Sequence, residues 1–161
     1  MDVEEARERF AALRERESGV DPEELDRVWA SLAPVDVSEV LGRWKGDDFA
    51  TGHPINGRLS SSRWYGKTFR SPSDAKPLVC YDADGELFSN VELGGGEASL
   101  WNVEFRGEVT ATMVYDGRPV LDHFKRVDET TLMGIMNGKA EHVLHRGQHY
   151  YFLLERVGDA G

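Results

Sequence analysis

Hydrophobic positions recur at two different periods along this 161-residue chain. In the first forty residues the period is helical. Val3, Ala6, Phe10 and Leu13 lie three or four apart with charge between them, which predicts an amphipathic helix that Gly19 ends. Asp21-Pro22-Glu23-Glu24 then opens a second. Asp21 can cap it, Pro22 suits the first helical position, and Glu24 completes a capping box. Its apolar stripe is Leu25, Val28, Trp29 and Leu32, and Pro34 ends it. Neither helix is apolar all round, so each is expected to lie on something else. That could be the rest of the chain or a second copy; the sequence favours docking within the chain.

From about residue 41 the period changes to two. Strand-like runs are read near 43–50, 58–70, 77–82, 86–91, 99–106, 109–115, 119–127, 130–136 and 148–157. Asp84-Gly85, Asp116-Gly117 and Asn137-Gly138 are read as tight hairpin turns with positive φ, Arg106-Gly107-Glu108 as a bend or bulge, and Gly94-Gly95-Gly96 as a flexible connector. No helical stretch of crossover length separates the runs, so the strands are expected to be antiparallel, in a barrel or a sandwich. In 148–157, Tyr150, Phe152 and Leu154 face one way and Tyr151 and Leu153 the other, so this strand should be covered on both sides. A barrel with helices outside it satisfies that. The expected organisation is a helical arm over 1–40 and one antiparallel β-barrel over 41–161.

Composition narrows the function classes. The chain carries 19 basic and 29 acidic residues, a formal charge of −10, which disfavours nucleic acid as a partner. Residues 1–40 hold 12 of the acids and only 5 of the bases. No apolar run approaches the length of a membrane helix, and the charged N-terminal stretch has no apolar segment of the signal-peptide kind, so a cytoplasmic protein is expected. Cys80 is the only cysteine, which excludes a disulfide framework and a cysteine-based zinc site.

Gly42-Arg43-Trp44-Lys45-Gly46, followed by Thr51-Gly52-His53-Pro54 and Trp64-Tyr65-Gly66-Lys67, resembles the GXWXG-domain family of bacterial proteins. The stretch from Met113-Val114-Tyr115-Asp116 through Pro119, then Asp122-His123-Phe124-Lys125-Arg126-Val127-Asp128, resembles the domain of unknown function that usually follows it. The two segments cover about 34–92 and 102–157. A more distant resemblance runs to nitrobindins and other lipocalin-like barrels, whose first strand also carries Gly-x-Trp-x-Gly. It implies a lipocalin-like antiparallel barrel of about nine to ten strands, with Trp44 plugging the closed end. The helical arm and the Gly-His-Pro segment depart from nitrobindin.

Candidate chemistry follows from the alternation. In 119–127, Asp122 shares a face with Val120 and Phe124, while Leu121, His123 and Lys125 share the other. If Phe124 points inward so does Asp122, and a buried carboxylate with a raised pKa suits a general acid or base. Tyr65 and Lys67 are two apart and are expected on one face with Phe69, where the ammonium could activate the phenol or hold a ligand oxyanion. His53, fixed by Pro54, could shuttle a proton. The candidate catalytic set is therefore Asp122, His53, Tyr65 and Lys67. Trp64, Phe69, Met113, Tyr115, Phe124, Met133 and Phe152 are candidate ligand-binding residues. His142, His145 and His149 have only a loose resemblance to metal spacing, and no metal or cofactor is assigned.

The leading expectation is an acid–base enzyme without a cofactor, of isomerase, cyclase, dehydratase or hydrolase type, acting on a small hydrophobic molecule in a barrel cavity. The alternative is a non-catalytic carrier or sensor of a fatty acid or similar ligand. A haem protein of nitrobindin type, with His149 as ligand, is the third reading. Monomer and homodimer are both compatible with the sequence.

Overall fold

The computed structural model describes residues 1–160. Helix α1 (Val3–Arg14) is capped by the Asp2 carboxylate, and α2 (Pro22–Ser31) by Asp21 with Pro22 in its first turn. A two-residue strand β1 (Ala33–Pro34) and one 3-10 turn (Val37–Glu39) lead into β2 (Gly42–Asp48). Then come α3 (Pro54–Ser61), β3 (Trp64–Ser71), β4 (Asp74–Tyr81), β5 (Leu87–Ser89) and α4 (Val91–Gly94). The chain ends with β6 (Ala98–Phe105), β7 (Glu108–Tyr115), β8 (Val120–Asp128), β9 (Thr131–Gly138), α5 (Ala140–Val143) and β10 (Tyr150–Gly158).

The strand order β8-β7-β6-β4-β3-β2-β10-β9 returns to β8, because β8 and β9 also pair. All pairings are antiparallel, so the sheet closes into a ring, and the architecture is a lipocalin-like barrel with a helical arm. One seam is weak. β4 and β6 share a single pair, Ala75↔Ala98, and then diverge. At the other end of the barrel β1 pairs with Arg126 and Lys125 of β8, while Ala111 of β7 donates to the Val35 carbonyl. The entering chain is thereby wedged between β7 and β8.

Two apolar clusters lie on the two sides of the barrel wall. Inside are Trp44, Phe69, Met113, Phe124, Phe152 and their neighbours. Outside, α1 and α2 bury Phe10, Leu13, Leu25, Val28 and Trp29 against Phe49, Val127, Met133, Ile135, Tyr151 and Leu153. The stripe of α2 is thus consumed within the chain. Among the described residues no helix is long and apolar enough to cross a membrane.

Five local readings change. Residues 58–63 are not strand: His53 caps a helix at 54–61, Pro54 occupies its first turn, and β3 begins at Trp64. Arg106-Gly107 is a two-residue hairpin with both φ positive, and Asn137-Gly138 is not a turn but the end of β9. Gly117 keeps a negative φ; it is glycine because a Cβ there would overlap the Gly95 carbonyl. Of the triple glycine, Gly95 is the left-handed cap of α4.

Candidate active site

At one end the barrel lumen opens into a cavity of about 330 Å³, within the size range of small-molecule sites. Its walls are largely apolar: Trp64 and Phe152, with Leu78, Val120 and Met136. Two glycines seat the aromatic rings. A Cβ on Gly46 would overlap the Trp64 ring, and one on Gly134 would overlap Phe152. Ile55 and Leu59 of α3, Leu93 of α4 and His142 of α5 border the mouth. Arg58 and Arg118 add two cationic groups there. Arg118 donates to the Leu93 carbonyl at 2.8 Å, tying the β7–β8 loop to α4 across the gap left by the weak seam.

Lys67 and Asp122 line the same cavity. Lys67 Nζ lies 3.1 Å from Asp122 Oδ2, and each side chain is 3% exposed. Nζ also donates to the Pro77 carbonyl at 3.1 Å. The ammonium lies 5.6 Å from the Trp64 ring, 5.8 Å from Tyr115 and 5.3 Å from Phe152, so aromatic faces surround it. Among the described residues no other donor bonds the Asp122 carboxylate, where structural carboxylates are normally saturated. Burial pushes the Asp122 carboxyl up, against the pull of Lys67, and pushes the Lys67 ammonium down, against the pull of Asp122. Both shifts run toward the neutral pair, so a proton moves between the two groups more easily than it would in water.

Two phenols complete the polar equipment. Tyr115 lines the cavity, and burial, then the nearby Asp122 charge, raises its pKa well above the usual phenol range. Tyr150 donates to Asp48 Oδ2 at 2.7 Å and is raised by burial and by that carboxylate. Both remain protonated at neutral pH, and Tyr150 is the one that donates within the protein among the described residues.

The other expected site residues are placed differently. Tyr65 is not on the lumen face with Lys67. β3 is irregular between Trp64 and Gly66 and again between Gly66 and Thr68, which brings Trp64 and Lys67 to the same face and leaves Tyr65 against Tyr81, 5.6 Å between ring centres. His53 is also outside the cavity: Nδ1 accepts from the Ile55 N–H at 3.2 Å and Nε2–H faces the Val143 carbonyl at 2.9 Å. Both its nitrogens are used to hold α3 and α5, and burial lowers its pKa. Phe69, Met113 and Phe124 belong to the packed interior rather than the cavity wall. Met133 faces outward beneath the helical arm, and Met136 lines the lumen instead.

His142 stands at the cavity mouth, whereas His145 and His149 line a separate cleft with His53. Among the described residues no group of three or more His, Cys, Asp or Glu is placed to hold a metal ion. His149 lies outside the lumen, with Nδ1 toward the Met136 carbonyl at 2.8 Å, so it does not fit the role of a haem ligand there. Reading 58–70 as strand hides Arg58 and Leu59, and Ile55 lies just before that run; their helical spacing after His53-Pro54 is the signal that finds them.

Comparison with known proteins agrees with this architecture. Residues 27–85 match the family described as GXWXG protein, and residues 96–156 match a domain of unknown function (DUF4334). No curated protein matches. A protein from Thermomonospora curvata, known from its crystal structure, is 35% identical; the match covers 95% of this chain and 99% of that one, with a TM-score of 0.84. The chain belongs to the GXWXG family, with the GXWXG domain followed by its partner domain of unknown function.

Proposed function

We propose that the lumen binds a small, largely apolar molecule carrying an oxygen function and that Asp122 and Lys67 transfer protons to and from it. The observation that carries this reading is the under-bonded Asp122–Lys67 pair, buried at 3% exposure and opening into an apolar cavity. Asp122 is the base or, once protonated, the acid. In its protonated form Lys67 polarises the ligand oxygen, with Tyr115 as a further donor. Isomerisation, cyclisation, dehydration and hydrolysis all use such a set. A free, buried Cys80 fits a cytoplasmic setting.

A carrier role is the second reading. It is favoured by Arg58 and Arg118 at the mouth, which suit the anionic end of an amphiphile whose tail fills the lumen.

The test uses 5-nitrobenzisoxazole, a compact apolar probe from which a base removes one C–H proton while the N–O bond breaks, releasing a coloured phenolate. The expected result is saturable elimination that falls by roughly 10²-fold in Asp122→Asn, with anilinonaphthalene sulfonate (ANS) still bound. Equal rates in both proteins would contradict the proton-transfer role, and ANS binding without elimination would leave the carrier.

A further inference from the structure

Of the five lysines in the chain (Lys45, Lys67, Lys76, Lys125 and Lys139), only Lys67 lines the lumen. Its Nζ has two protein acceptors, Asp122 Oδ2 and the Pro77 carbonyl, each at 3.1 Å. An ammonium has three N–H groups to satisfy, a neutral amine two. The two acceptors account for both N–H groups of the neutral amine, so once a proton has passed to Asp122 the third position on Nζ, among Trp64, Tyr115 and Phe152, carries the lone pair. Apolar walls favour the uncharged amine, and the carboxylate that takes its proton is already in contact.

Resting on the reading of the lumen as a small-molecule site, we infer that Lys67 is a nucleophile that forms an imine with an aldehyde or ketone, which makes carbonyl compounds with an apolar body the ligand class. The step balances within the pair. The proton passes from Nζ to Asp122, giving amine and carboxylic acid. The amine lone pair forms a bond to the carbonyl carbon, and the C=O π pair moves to oxygen, which takes the Asp122 proton. The nitrogen then returns one proton to Asp122, giving the neutral carbinolamine. Its nitrogen lone pair expels the hydroxyl, which leaves as water with the Asp122 proton. The products are an N–H iminium cation, water and the Asp122 carboxylate. The iminium takes the place of the original ammonium in the ion pair, so burial of the product needs no new counter-charge. An iminium at this position draws electrons from the neighbouring carbon, and Asp122 stands beside it to take a proton.

The experiment traps the imine in the intact protein. 6-Methoxy-2-naphthaldehyde is added with sodium cyanoborohydride, and the reduced adduct is located by peptide mass mapping, in parallel with displacement of bound ANS. The expected result is about tenfold or more label on Lys67 over each of the other four lysines, because only Lys67 meets the aldehyde inside a site that holds it against the amine. Because the site is mapped in the wild-type chain, the result does not depend on a variant folding. If the aldehyde displaces ANS but label is absent from Lys67 or spread evenly over the lysines, imine formation is wrong and the small-molecule site stands. If neither ANS nor aldehyde is retained, both readings fall.

Discussion

Strand β8 carries ionisable groups on both faces, and the two faces use them differently. Asp122 points into the lumen against Lys67, while Lys125 points outward beneath the helical arm. Lys67 and Lys125 are the two buried lysines, and each lies over a tryptophan. Lys125 bonds the Trp29 carbonyl at 3.0 Å and reaches Glu108, whose side chain is 41% exposed. Its charge is thus shared with the surface, and it pins α2 to the barrel. Lys67 has a partner as buried as itself and an apolar cavity in front of it. The first arrangement is a strut; the second is a charge pair kept out of water where a ligand could use it. Burial of a lysine alone does not distinguish them. The exposure of the counter-ion does.

The largest test of that difference removes one partner. Asp122→Ala should cost about 3–5 kcal/mol in chemical denaturation at neutral pH, because it strands an amine in an apolar lumen. The double replacement Lys67→Met with Asp122→Leu should be near neutral or stabilising by about 1–4 kcal/mol, since the pair is replaced by packing. If the single and double variants lose the same stability, the pair is not the buried unit described.

The cavity wall can be broken separately. Gly46→Ala puts a methyl group where the Trp64 ring lies, so it should cost about 1–3 kcal/mol as overpacking and push Trp64 into the lumen. ANS fluorescence should fall with it; unchanged binding would mean that Trp64 does not bound the site.

On the outer face the test is acid. His123 sits between Thr112 Oγ1 at 2.8 Å and Asn137 Nδ2 at 3.0 Å, with Phe105 stacked on it at 4.0 Å. Burial, then His149 and Arg106, depresses its pKa from 6.5 to about 4. The unfolded chain therefore takes up the proton first. The contribution is complete above about pH 6.5 and is lost as pH falls toward about 4, by about 3 kcal/mol. His123→Asn should flatten that part of the stability–pH curve; an unchanged slope would assign it elsewhere.

The smallest effect belongs to the surface end of the strut. Glu108→Gln keeps an oxygen acceptor for Lys125 at a half-exposed position and should cost under about 1 kcal/mol by thermal melting. A loss as large as that of Asp122→Ala would erase the contrast between the two lysines.

Much of this was legible in the residues. The change of period near residue 41 separated arm from barrel, and alternation along 119–127 set Asp122 with Phe124 and against His123 and Lys125. Alternation failed in β3, because its period holds only for a regular strand. The irregularities around Gly66 bring Lys67 to the face of Trp64, and nothing in Trp64-Tyr65-Gly66-Lys67 announces them except the glycine, whose Cβ would overlap the Trp44 carbonyl of β2. The mouth was the least legible part. α4 and α5 span four residues each, too short for a hydrophobic period to show; α3 offers one short repeat, Ile55 to Leu59 after Pro54, and the two nitrogens of His53, a proton-carrier candidate, hold backbone groups. The Lys67–Asp122 contact joins residues far apart in the chain, so no local pattern encodes it.

The most direct measurement is a titration of ¹³C-lysine-labelled protein with ANS, following the ¹³Cε–¹Hε signals by NMR, with Lys67 and Lys125 assigned from their Met variants. The account predicts that the Lys67 signal shifts and saturates with ANS occupancy while the Lys125 signal stays in place. ANS binding that moves Lys125, or that leaves Lys67 unmoved, would contradict the claim that the Lys67–Asp122 pair faces the ligand cavity.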